Sequence, residues 1–570
     1  MREIKKPLPI GIEKFEEIIT EEYYYVDKTL LIKDLLDLKG KVNLFTRPRR
    51  FGKTLNLSML KYFFEDTGEQ EKNAAHQKLF EGLKIMEEGE KYTKKQCGYP
   101  VISLTLKSAK QGSYKSAYAC LKEAIAWEYY CHNYILESLS PKMKEKFIRI
   151  RDEEAGEEEM ETSLAFLSKC LYVYHHKNAV ILIDEYDVPL ENSYFRGFYQ
   201  EMVDFLRSLF ESALKTNDYL EFAVITGCLR ISKESIFTGL NHLEINSILV
   251  NDYAEYFGFV PEEVEKMLAF YGLSNCMDTM RQWYDGYLFG KNEVYNPWSV
   301  IKYVKEHNSA PDAFPKPYWS NTSSNDIVKH LIEHADLVTK YEIETLIEGG
   351  TIEKQIHEEI TYADIYTTQD NLWNFLFFTG YLKKVSERFE GESIYLTMKF
   401  PNIEIKYIYN NSIQEWFREE LNKQDFHDFY DMLKNGDAVG MQRVINDQLD
   451  KTISFMDGAE NFYHGFMVGL LAQSKTYIVK SNRESGNGRG DIFVFPPSRQ
   501  KTAYIFELKV CGSLENTGEK AKEGTEQIRN THYDAELRNM GYRDIEMYGI
   551  AFFRKNCSVY YGGKVEVSST

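Results

Sequence analysis

The sequence contains no Cys-x-x-Cys pair, no internal repeat and no uninterrupted apolar stretch of about 18 residues. Its eight cysteines are widely scattered, which argues against both a zinc site and a disulfide framework. The amino terminus has no apolar run ahead of a small-residue cleavage site, so a secretory signal is not indicated. These absences lead us to expect a soluble cytoplasmic protein.

Basic charge is also scarce. The chain has 69 Lys and Arg against 87 Asp and Glu, which gives a net charge of −18. This balance argues against a protein coated in nonspecific nucleic-acid-binding surface. The deficit is uneven, because the segment from Glu460 onward carries 15 basic and 13 acidic residues while the rest of the chain carries −20. We therefore expect any nucleic-acid site in this last segment.

At about 150 residues per domain, 570 residues predict roughly four folded units. In the first third, continuously apolar β-branched runs alternate with helical patterns, which predicts an α/β domain whose parallel sheet has helices on both faces. The next segment is mainly helical and is interpreted as a lid or adaptor. A helix, two strands and a helix then predict a winged-helix-like unit with a helical connector, and a second α/β domain follows. We place these four domains at residues 1–250, 251–369, 370–456 and 457–570.

A candidate phosphate-binding loop, RPRRFGKT, follows the strand KVNLF and precedes a helix. In such loops backbone N–H groups wrap the phosphates, a lysine reaches the terminal phosphates and a hydroxyl binds Mg²⁺. Arg47 stands where the pattern has its first glycine, so either the turn is reshaped or the motif is accidental. The candidate nucleotide-binding residues of this loop are Arg47, Arg49, Arg50, Phe51, Gly52, Lys53 and Thr54.

A second element, AVILIDEYD, supports a nucleotide site. Asp184 at the end of an apolar strand can help to hold Mg²⁺ together with Thr54, and Glu185 can polarise the attacking water. The alternative is a solvent-capped strand end. After another strand, Thr226 is a candidate sensor of the γ-phosphate and Arg230 a candidate for stabilising transition-state charge. A threonine at a strand end and an arginine at a helix start also occur without any function.

Several segments carry a family resemblance: PIGIEKFEEI, YYYVDKTLLIKDLL, LIDEYDVPL, TGCLRISKESIFTGLN, WYDGYLFG and YNPWSV. With the loop, they resemble the AAA-ATPase-like family of bacterial and archaeal proteins that join a P-loop ATPase to a carboxyl-terminal PD-(D/E)xK nuclease-like domain. The resemblance covers most of the chain and implies that Arg47 is tolerated in the loop. It indicates a biochemical class, with ATP and Mg²⁺ as cofactors, more firmly than a pathway.

A second constellation lies near the carboxyl terminus. Asp491 and Glu507 are 16 residues apart on two predicted strands, and Lys509 shares a strand face with Glu507. Two carboxylates on adjacent strands can bind Mg²⁺ while a lysine orients hydroxide or stabilises charge on a scissile phosphate. The pattern resembles PD-(D/E)xK nucleases, with Gly490 in place of the proline. The alternative for Glu507 and Lys509 is a surface salt-bridge face on an edge strand.

Other polar residues surround this second constellation. A third carboxylate could complete the metal shell or contact the water, two arginines could grip backbone phosphates, and one or other of two residues on the following helix could orient the site. Surface solvation is the alternative for the arginines and the two helix residues. The candidates are Glu484, with Glu460 as the weaker choice, then Arg483, Arg489, Gln527 and Tyr533. We interpret His464 as a packed core histidine.

Three functions fit these observations. The first is an ATPase that gates Mg²⁺-dependent cleavage of nucleic acid, with DNA preferred as the partner of the carboxyl-terminal domain. The second is an ATP-regulated nucleic-acid-binding switch that cleaves nothing, and the third is a signalling ATPase that binds a protein through its helical middle. The sequence leaves open whether the substrate is DNA or RNA and whether the chain forms a homo-oligomer such as a ring.

Overall fold

The computed structural model describes residues 5–229, 236–237, 242–310, 313–319, 328, 336–357, 368–422, 427–451, 460–472, 476–485 and 488–565. The chain forms two compact units, Met1–Trp319 with Glu353–Ile405 and Ser320–Ile352 with Lys406–Thr570, called here the first and the second unit. Arg230 lies outside the described residues. The backbone but not the side chain is described at four other candidates: Glu460, Arg483, Glu484 and Arg489.

The first unit contains most of the helices. Its strands are β1 (Val42–Thr46), β2 (Val101–Thr105), β3 (Ala179–Asp184), β4 (Leu220–Gly227), β5 (Leu243–Asn246), β6 (Tyr287–Phe289), β7 (Asn292–Val294), β8 (Ile352–Gln355), β9 (Lys383–Glu390) and β10 (Ser393–Lys399). Its helices are α1 (Phe15–Thr20), α2 (Leu30–Leu38), α3 (Lys53–Phe64), α4 (Gln70–Lys78), α5 (Glu90–Thr93), α6 (Tyr114–Cys131), α7 (Pro141–Arg151), α8 (Glu157–Glu161), α9 (Ser163–His175), α10 (Val188–Arg196), α11 (Tyr199–Phe210), α12 (Pro261–Tyr271), α13 (Met277–Tyr284), α14 (Pro297–Ser309) and α16 (Gln369–Phe378).

The central sheet of the first unit has the strand order β2-β3-β4-β1-β5, and all neighbouring strands are parallel. Strands β1 and β3 are buried along their whole length, as expected for apolar runs covered on both faces. The predicted α/β class is therefore confirmed. Because the strands are parallel, the residues that follow β1, β3 and β4 meet at one edge of the sheet.

Two smaller sheets follow in the first unit. Strands β6 and β7 form an antiparallel pair, and β8, β10 and β9 form a three-stranded sheet in that order. The helix, two strands and helix of the winged-helix-like prediction correspond to α16, β9, β10 and α17 (Ile403–Asn422), and β8 adds a strand to them. Helix α17 begins in the first unit and continues along the chain into the second.

The second unit is built on a mixed sheet of order β11-β12-β13-β14-β15, in which only the β13–β14 pair is parallel. Its strands are β11 (Ile478–Ser485), β12 (Gly488–Phe495), β13 (Ala503–Val510), β14 (Ile545–Phe553) and β15 (Asn556–Lys564). Its helices are α15 (Leu337–Ile347), α18 (His427–Asn435), α19 (Ala438–Lys451), α20 (Glu460–Leu471), α21 (Thr517–Asn530) and α22 (Ala535–Asn539).

Helix α21 lies directly on this sheet because glycines leave room for it. A Cβ at Gly549 of β14 would clash with the carbonyl oxygen of Ala521, and a Cβ at Gly524 would lie 3.5 Å from Glu507 Cβ. The helix backbone thus packs against the strands without intervening side chains. This close approach brings the residues of α21 within reach of the side chains on β13.

Candidate functional site

The loop between β1 and α3 has the backbone of an anion-binding turn. Gly52 has φ 81° and Arg50 has φ 69°, both in the left-handed region. A Cβ at Gly52 would meet nothing within 4 Å, so glycine is favoured there by its backbone conformation rather than by lack of space. Helix α3 begins at Lys53, where its free N–H groups and dipole favour a negatively charged ligand.

The structure places the side chain of Arg47 in the core rather than in this loop's mouth. Its guanidinium is fully buried, donates to the Thr46 oxygen at 3.0 Å and the Asn246 oxygen at 2.5 Å, and lies 5.2 Å from the rings of Phe257 and Phe289. Burial lowers the Arg47 pKa to about 9. The guanidinium thus lies in the core and contacts no open part of the loop, and a role of Arg47 in nucleotide binding stays a prediction.

Lys53 occupies the interior of the loop. Its Nζ donates to the carbonyl oxygens of Arg47 at 2.8 Å and Pro48 at 2.9 Å, and it lies 3.7 Å from Cys228 Sγ. The ammonium group is therefore held by backbone dipoles that a phosphate oxygen could replace. This position is the one that the loop pattern predicts for its lysine.

Asp184 is the centre of the polar groups at the sheet edge. Its Oδ2 accepts a hydrogen bond from Thr54 Oγ1 at 2.7 Å, and its Oδ1 accepts one from Thr226 Oγ1 at 2.6 Å. The carboxylate is almost fully buried, so these two bonds fix its orientation. The structure thus brings together three residues that the sequence analysis assigned from separate motifs, and a hydroxyl with a carboxylate is a donor set that suits Mg²⁺.

Glu185 follows with φ 53°, a left-handed conformation that turns the chain sharply at the strand end. Burial and the neighbouring Asp184 raise the pKa of its carboxyl, whereas Lys107 and Lys53 act in the opposite direction. Lys107, which follows β2, was missed by the sequence analysis because it belongs to no motif. Its Nζ is paired with Glu13 at 2.8 Å.

The remaining loop side chains point to neighbouring segments. Arg49 forms an ion pair with Glu191 of α10 at 2.5 Å, and the guanidinium of Arg50 lies 3.9 Å from the ring centroid of Trp298. Phe51 is fully buried. The loop therefore combines a backbone open to an anion with side chains that are anchored elsewhere.

Asp187 is a buried acid that the sequence analysis did not select. Its Oδ2 accepts hydrogen bonds from the backbone N–H of Cys228 at 2.7 Å and of Leu229 at 3.2 Å. It thereby ties the segment after β3 to the segment after β4, directly beyond Thr226. The third acid of the IDEYD motif was the available signal, because a carboxylate three residues beyond a strand end can bond the neighbouring loop.

In the second unit, Asp491 and Glu507 lie on adjacent antiparallel strands. The register pairs Ile492 with Phe506, and Asp491 Oδ2 accepts a hydrogen bond from the Leu508 N–H at 2.8 Å. The two predicted carboxylates are thus brought together. His464 Nε2 donates to the Asp491 carbonyl oxygen at 3.1 Å, so this half-buried histidine supports the strand rather than the carboxylate.

Glu507 is a buried carboxylate with one oxygen left over. Its Oε1 accepts a hydrogen bond from Lys509 Nζ at 2.9 Å, whereas Oε2 has no hydrogen-bond partner among the described residues. Burial, followed by the charge of Asp491, raises the Glu507 pKa to about 7, although Lys509 and the nearby backbone N–H of Asp491 lower it. An unpartnered buried oxygen beside a second carboxylate fits a divalent cation, which would satisfy the oxygen and offset both charges.

Lys509 is oriented by helix α21. Its Nζ donates to Gln527 Oε1 at 2.7 Å, and Gln527 Nε2 donates to the Tyr533 hydroxyl at 3.0 Å. Gln527 therefore contacts Lys509 directly, and Tyr533 contacts Gln527. The lysine is about one-quarter exposed, so its charge is fixed in direction but remains accessible.

The flanking candidates are described by backbone position alone. Strand β11 pairs Arg483 with Gly490 and Glu484 with Arg489, while Glu460 begins α20. Within the described ranges, no group of three or more His, Cys, Asp and Glu side chains is arranged to hold a metal ion. The described donor set of this site is therefore the pair Asp491 and Glu507.

Comparisons with known proteins match two segments of the chain to protein families. Residues 9–237 match a family model described as a predicted AAA-ATPase, and residues 458–561 match a model of the PD-(D/E)XK nuclease superfamily. A protein of Azotobacter chroococcum mcd 1, described as an uncharacterized protein in the vnfD 5'region, is 24% identical over 97% of this chain and 98% of its own length. No helix among the described residues is long and apolar enough to span a membrane. The chain thus joins an AAA-ATPase-like domain at residues 9–237 to a PD-(D/E)XK nuclease superfamily domain at residues 458–561.

Proposed function

We propose that this cytoplasmic chain couples ATP hydrolysis in the first unit to Mg²⁺-dependent cleavage of DNA in the second. The family matches support an ATPase and a nuclease-type activity in one chain, and domains of these families generally use a nucleotide and a divalent metal. The observation that carries the cleavage half is the buried Glu507 Oε2, which lacks a partner among the described residues although Asp491 and Lys509 are its neighbours.

The ATPase half rests on the groups around Asp184. Lys53 would exchange its two carbonyl partners for phosphate oxygens, and Thr54 with Asp184 would hold Mg²⁺, which supplies positive charge to the phosphates. Glu185, with its raised pKa, would take the proton of the attacking water. Thr226 would keep the Asp184 carboxylate in its orientation during this step.

The cleavage half rests on Asp491, Glu507 and Lys509. The two carboxylates would hold Mg²⁺, which lowers the pKa of bound water and stabilises charge on a phosphodiester. Lys509 would direct its ammonium group toward the scissile phosphate, because Glu507 Oε1 and Gln527 Oε1 already fix it on one side. Tyr533 would hold Gln527 in that arrangement.

The test combines two readouts on the purified full-length protein. Plasmid and linear DNA are incubated with Mg²⁺, with and without ATP, while phosphate release and DNA cleavage are followed together. Asp491→Asn should abolish cleavage and leave phosphate release intact, because it removes one negative charge from the metal pair while keeping its shape. Lys53→Ala should abolish phosphate release and alter cleavage. Cleavage that persists in Asp491→Asn would contradict the assigned site.

A second candidate function is an ATP-regulated switch that binds nucleic acid without cutting it. The observation that favours it is the donor set, since the side chains that the structure describes at this site supply the two carboxylates of Asp491 and Glu507, whereas those of Glu460 and Glu484 are outside the description. The same experiment separates the two functions. ATP hydrolysis together with DNA or RNA binding, but without cleavage of either, would select the switch.

A further inference from the structure

The phosphate-binding loop is in direct contact with the part of the first unit that follows β5. Phe51 packs against the rings of Tyr287 and Phe289, whose centroids lie 5.0 Å and 5.2 Å away. A Cβ at Gly380, which follows α16, would lie 3.0 Å from Pro48 Cβ and 3.3 Å from the ring of Trp319. The loop side chains therefore pack against later segments of the first unit. Because this packing is dense, a change in loop conformation must shift the side chains of those segments.

Arg50 is the residue of this interface that contacts Trp298. Its side chain is exposed, its backbone has φ 69°, and its guanidinium stacks on the half-buried ring of Trp298 at 3.9 Å. A cation–π contact at such a site is weaker than a charge-assisted hydrogen bond to a phosphate. A nucleotide bound in the loop would thus compete with the Trp298 ring for the same guanidinium.

Trp298 is in turn connected to the first turn of α17. It lies in the first turn of α14, next to Ser299, and its Nε1 donates to the Tyr318 oxygen at 3.1 Å. Ser299 Oγ donates to the two carboxylate oxygens of Glu404 at 3.1 Å and 2.9 Å. Glu404 is fully buried and belongs to α17.

The second contact of Glu404 leads back to the loop by another route. Its Oε1 accepts a hydrogen bond from the backbone N–H of Trp319 at 2.8 Å. The Trp319 ring is fully buried, stacks on Tyr381 with centroids 5.0 Å apart, and lies beside Gly380, which contacts Pro48. Two chains of contacts, one through Trp298 and one through Trp319, therefore join the loop to a single buried carboxylate.

We propose that Arg50, Trp298, Ser299 and Glu404 form a nucleotide relay, in which Trp298 holds Arg50 until nucleotide phosphates draw it away and the first turn of α17 responds. Trp298 is a positioning residue in this scheme, and the two positions of Arg50 are its two states. The inference rests on the proposed ATP site and names how occupancy of that site is reported at the start of α17.

Hydrogen exchange of the full-length protein tests the relay. Amide exchange in residues 403–409 is measured by mass spectrometry with and without ATP and Mg²⁺, and ATP binding is measured separately with a fluorescent ATP analogue. In the wild type, ATP should change the exchange rate about fivefold, which is the lower end of allosteric coupling. Trp298→Leu should remove this change while ATP still binds, because it keeps apolar bulk and loses the aromatic face.

Three further variants make the result specific. Trp298→Phe should retain most of the response, since it keeps a ring for Arg50 and loses the same Tyr318 bond as Trp298→Leu. Ser299→Ala should lose it, because it cuts the link to Glu404 without touching the ring. Lys302→Ala should retain it, as this lysine also lies over Trp298, at 4.7 Å, but belongs to α14 rather than to the loop.

The outcomes distinguish the relay from the ATP site itself. ATP binding to the wild type without any change in residues 403–409 would overturn the relay and leave the proposed function standing. The same holds if Trp298→Leu and Ser299→Ala respond like the wild type. If the wild type binds no ATP, the proposed function and the relay fail together.

Discussion

The two candidate sites differ in how their central carboxylates are satisfied. In the first unit, both oxygens of Asp184 accept hydroxyl hydrogen bonds, from Thr54 and Thr226. In the second unit, Glu507 uses one oxygen for Lys509, and the other has no partner among the described residues. The Asp184 carboxylate is therefore held in place before any ligand binds. The Glu507 carboxylate keeps an unbonded oxygen that a positively charged ligand would satisfy.

This difference follows from how each sheet places its residues. At the edge of a parallel sheet, side chains from several strand ends converge, so Asp184 has neighbours that are separated by 130 and 42 residues along the chain. Asp491 and Glu507 lie instead on two adjacent antiparallel strands, side by side, and repel each other. The hydrogen-bond network around Asp184 thus suits a ligand that is itself charged. The mutually repelling pair Asp491 and Glu507 suits a free metal ion.

The greatest loss of activity in the first unit is expected on substitution of Lys53. Lys53→Ala should lower ATP hydrolysis about a thousandfold, because it removes the positioned charge that is proposed to contact the ATP phosphates. Phosphate release under saturating ATP is the measurement. Lys41→Ala is the matched control, since Lys41 donates to the Leu220 and Glu221 oxygens away from the loop. Equal loss in both variants would mean that the first site is not a phosphate site.

A second, smaller effect concerns the charge beside Glu507. Lys509→Ala should slow DNA cleavage about a hundredfold, since electrostatic stabilisation by one positioned group is of this order. Its melting temperature should stay close to that of the wild type, because the side chain is partly exposed. Lys522→Ala on the exposed side of α21 is the control. If Lys509→Ala cleaves normally, the lysine serves only to neutralise the acid pair.

Glu404 is a buried acid that belongs to neither site. Burial raises its pKa to about 8, while hydrogen bonds from Trp319 and Ser299 act in the opposite direction. Between pH 4.5 and 8 the folded state therefore binds more protons than the unfolded state. The free energy of unfolding of the protein should therefore fall as pH rises through this range, by at most about 1.4 kcal/mol per pH unit from Glu404.

Glu404→Gln should flatten this slope, because an amide does not titrate. Urea unfolding at pH 5, 6, 7 and 8, followed by tryptophan fluorescence, measures it. Glu262→Gln, at an exposed position in the first turn of α12, is the control and should keep the slope of the wild type. An unchanged slope in Glu404→Gln would place the pH dependence elsewhere in the first unit.

The weakest effect on the rate of cleavage should come from Tyr533, which contacts Gln527 rather than Lys509 itself. Tyr533→Phe should slow cleavage about fivefold, the equivalent of one neutral hydrogen bond of about 1 kcal/mol. Steady-state cleavage rates at saturating Mg²⁺ measure it. Gln527→Ala should have a larger effect than Tyr533→Phe, as it removes the direct partner of Lys509. The reverse order would contradict a series arrangement.

The sequence predicts those strands whose position is determined by a local run of apolar residues. Strands β1, β3 and β4 were predicted from continuous apolar runs, and the polar residues that follow them were assigned to one site from the loop and acidic motifs, which the parallel strand order brings to one edge. Strand β5 was missed because it is short and alternates polar with apolar residues. Strand β15 was missed because only one of its nine residues is fully buried and its sequence carries adjacent glycines.

Arg47 shows what local patterns cannot supply. Its position in the loop motif indicated a phosphate contact, but its orientation depends on Phe257 and Phe289, which lie more than 200 residues further along the chain. The unpartnered oxygen of Glu507 was equally out of reach of the sequence, since it is defined by what the surrounding backbone leaves unbonded. Sequence motifs select candidate residues, whereas the direction of each side chain depends on tertiary contacts.

The contact between Gly549 and α21 has a genetic consequence. Any side chain at position 549 must push α21 away from the sheet, and with it Gln527, although the residue touches no substrate and carries no charge. Gly549→Ala should therefore behave as a loss-of-function allele of the carboxyl-terminal activity alone, with both acids and the lysine still encoded. Such an allele would separate the two activities in living cells without altering a single chemical group of either.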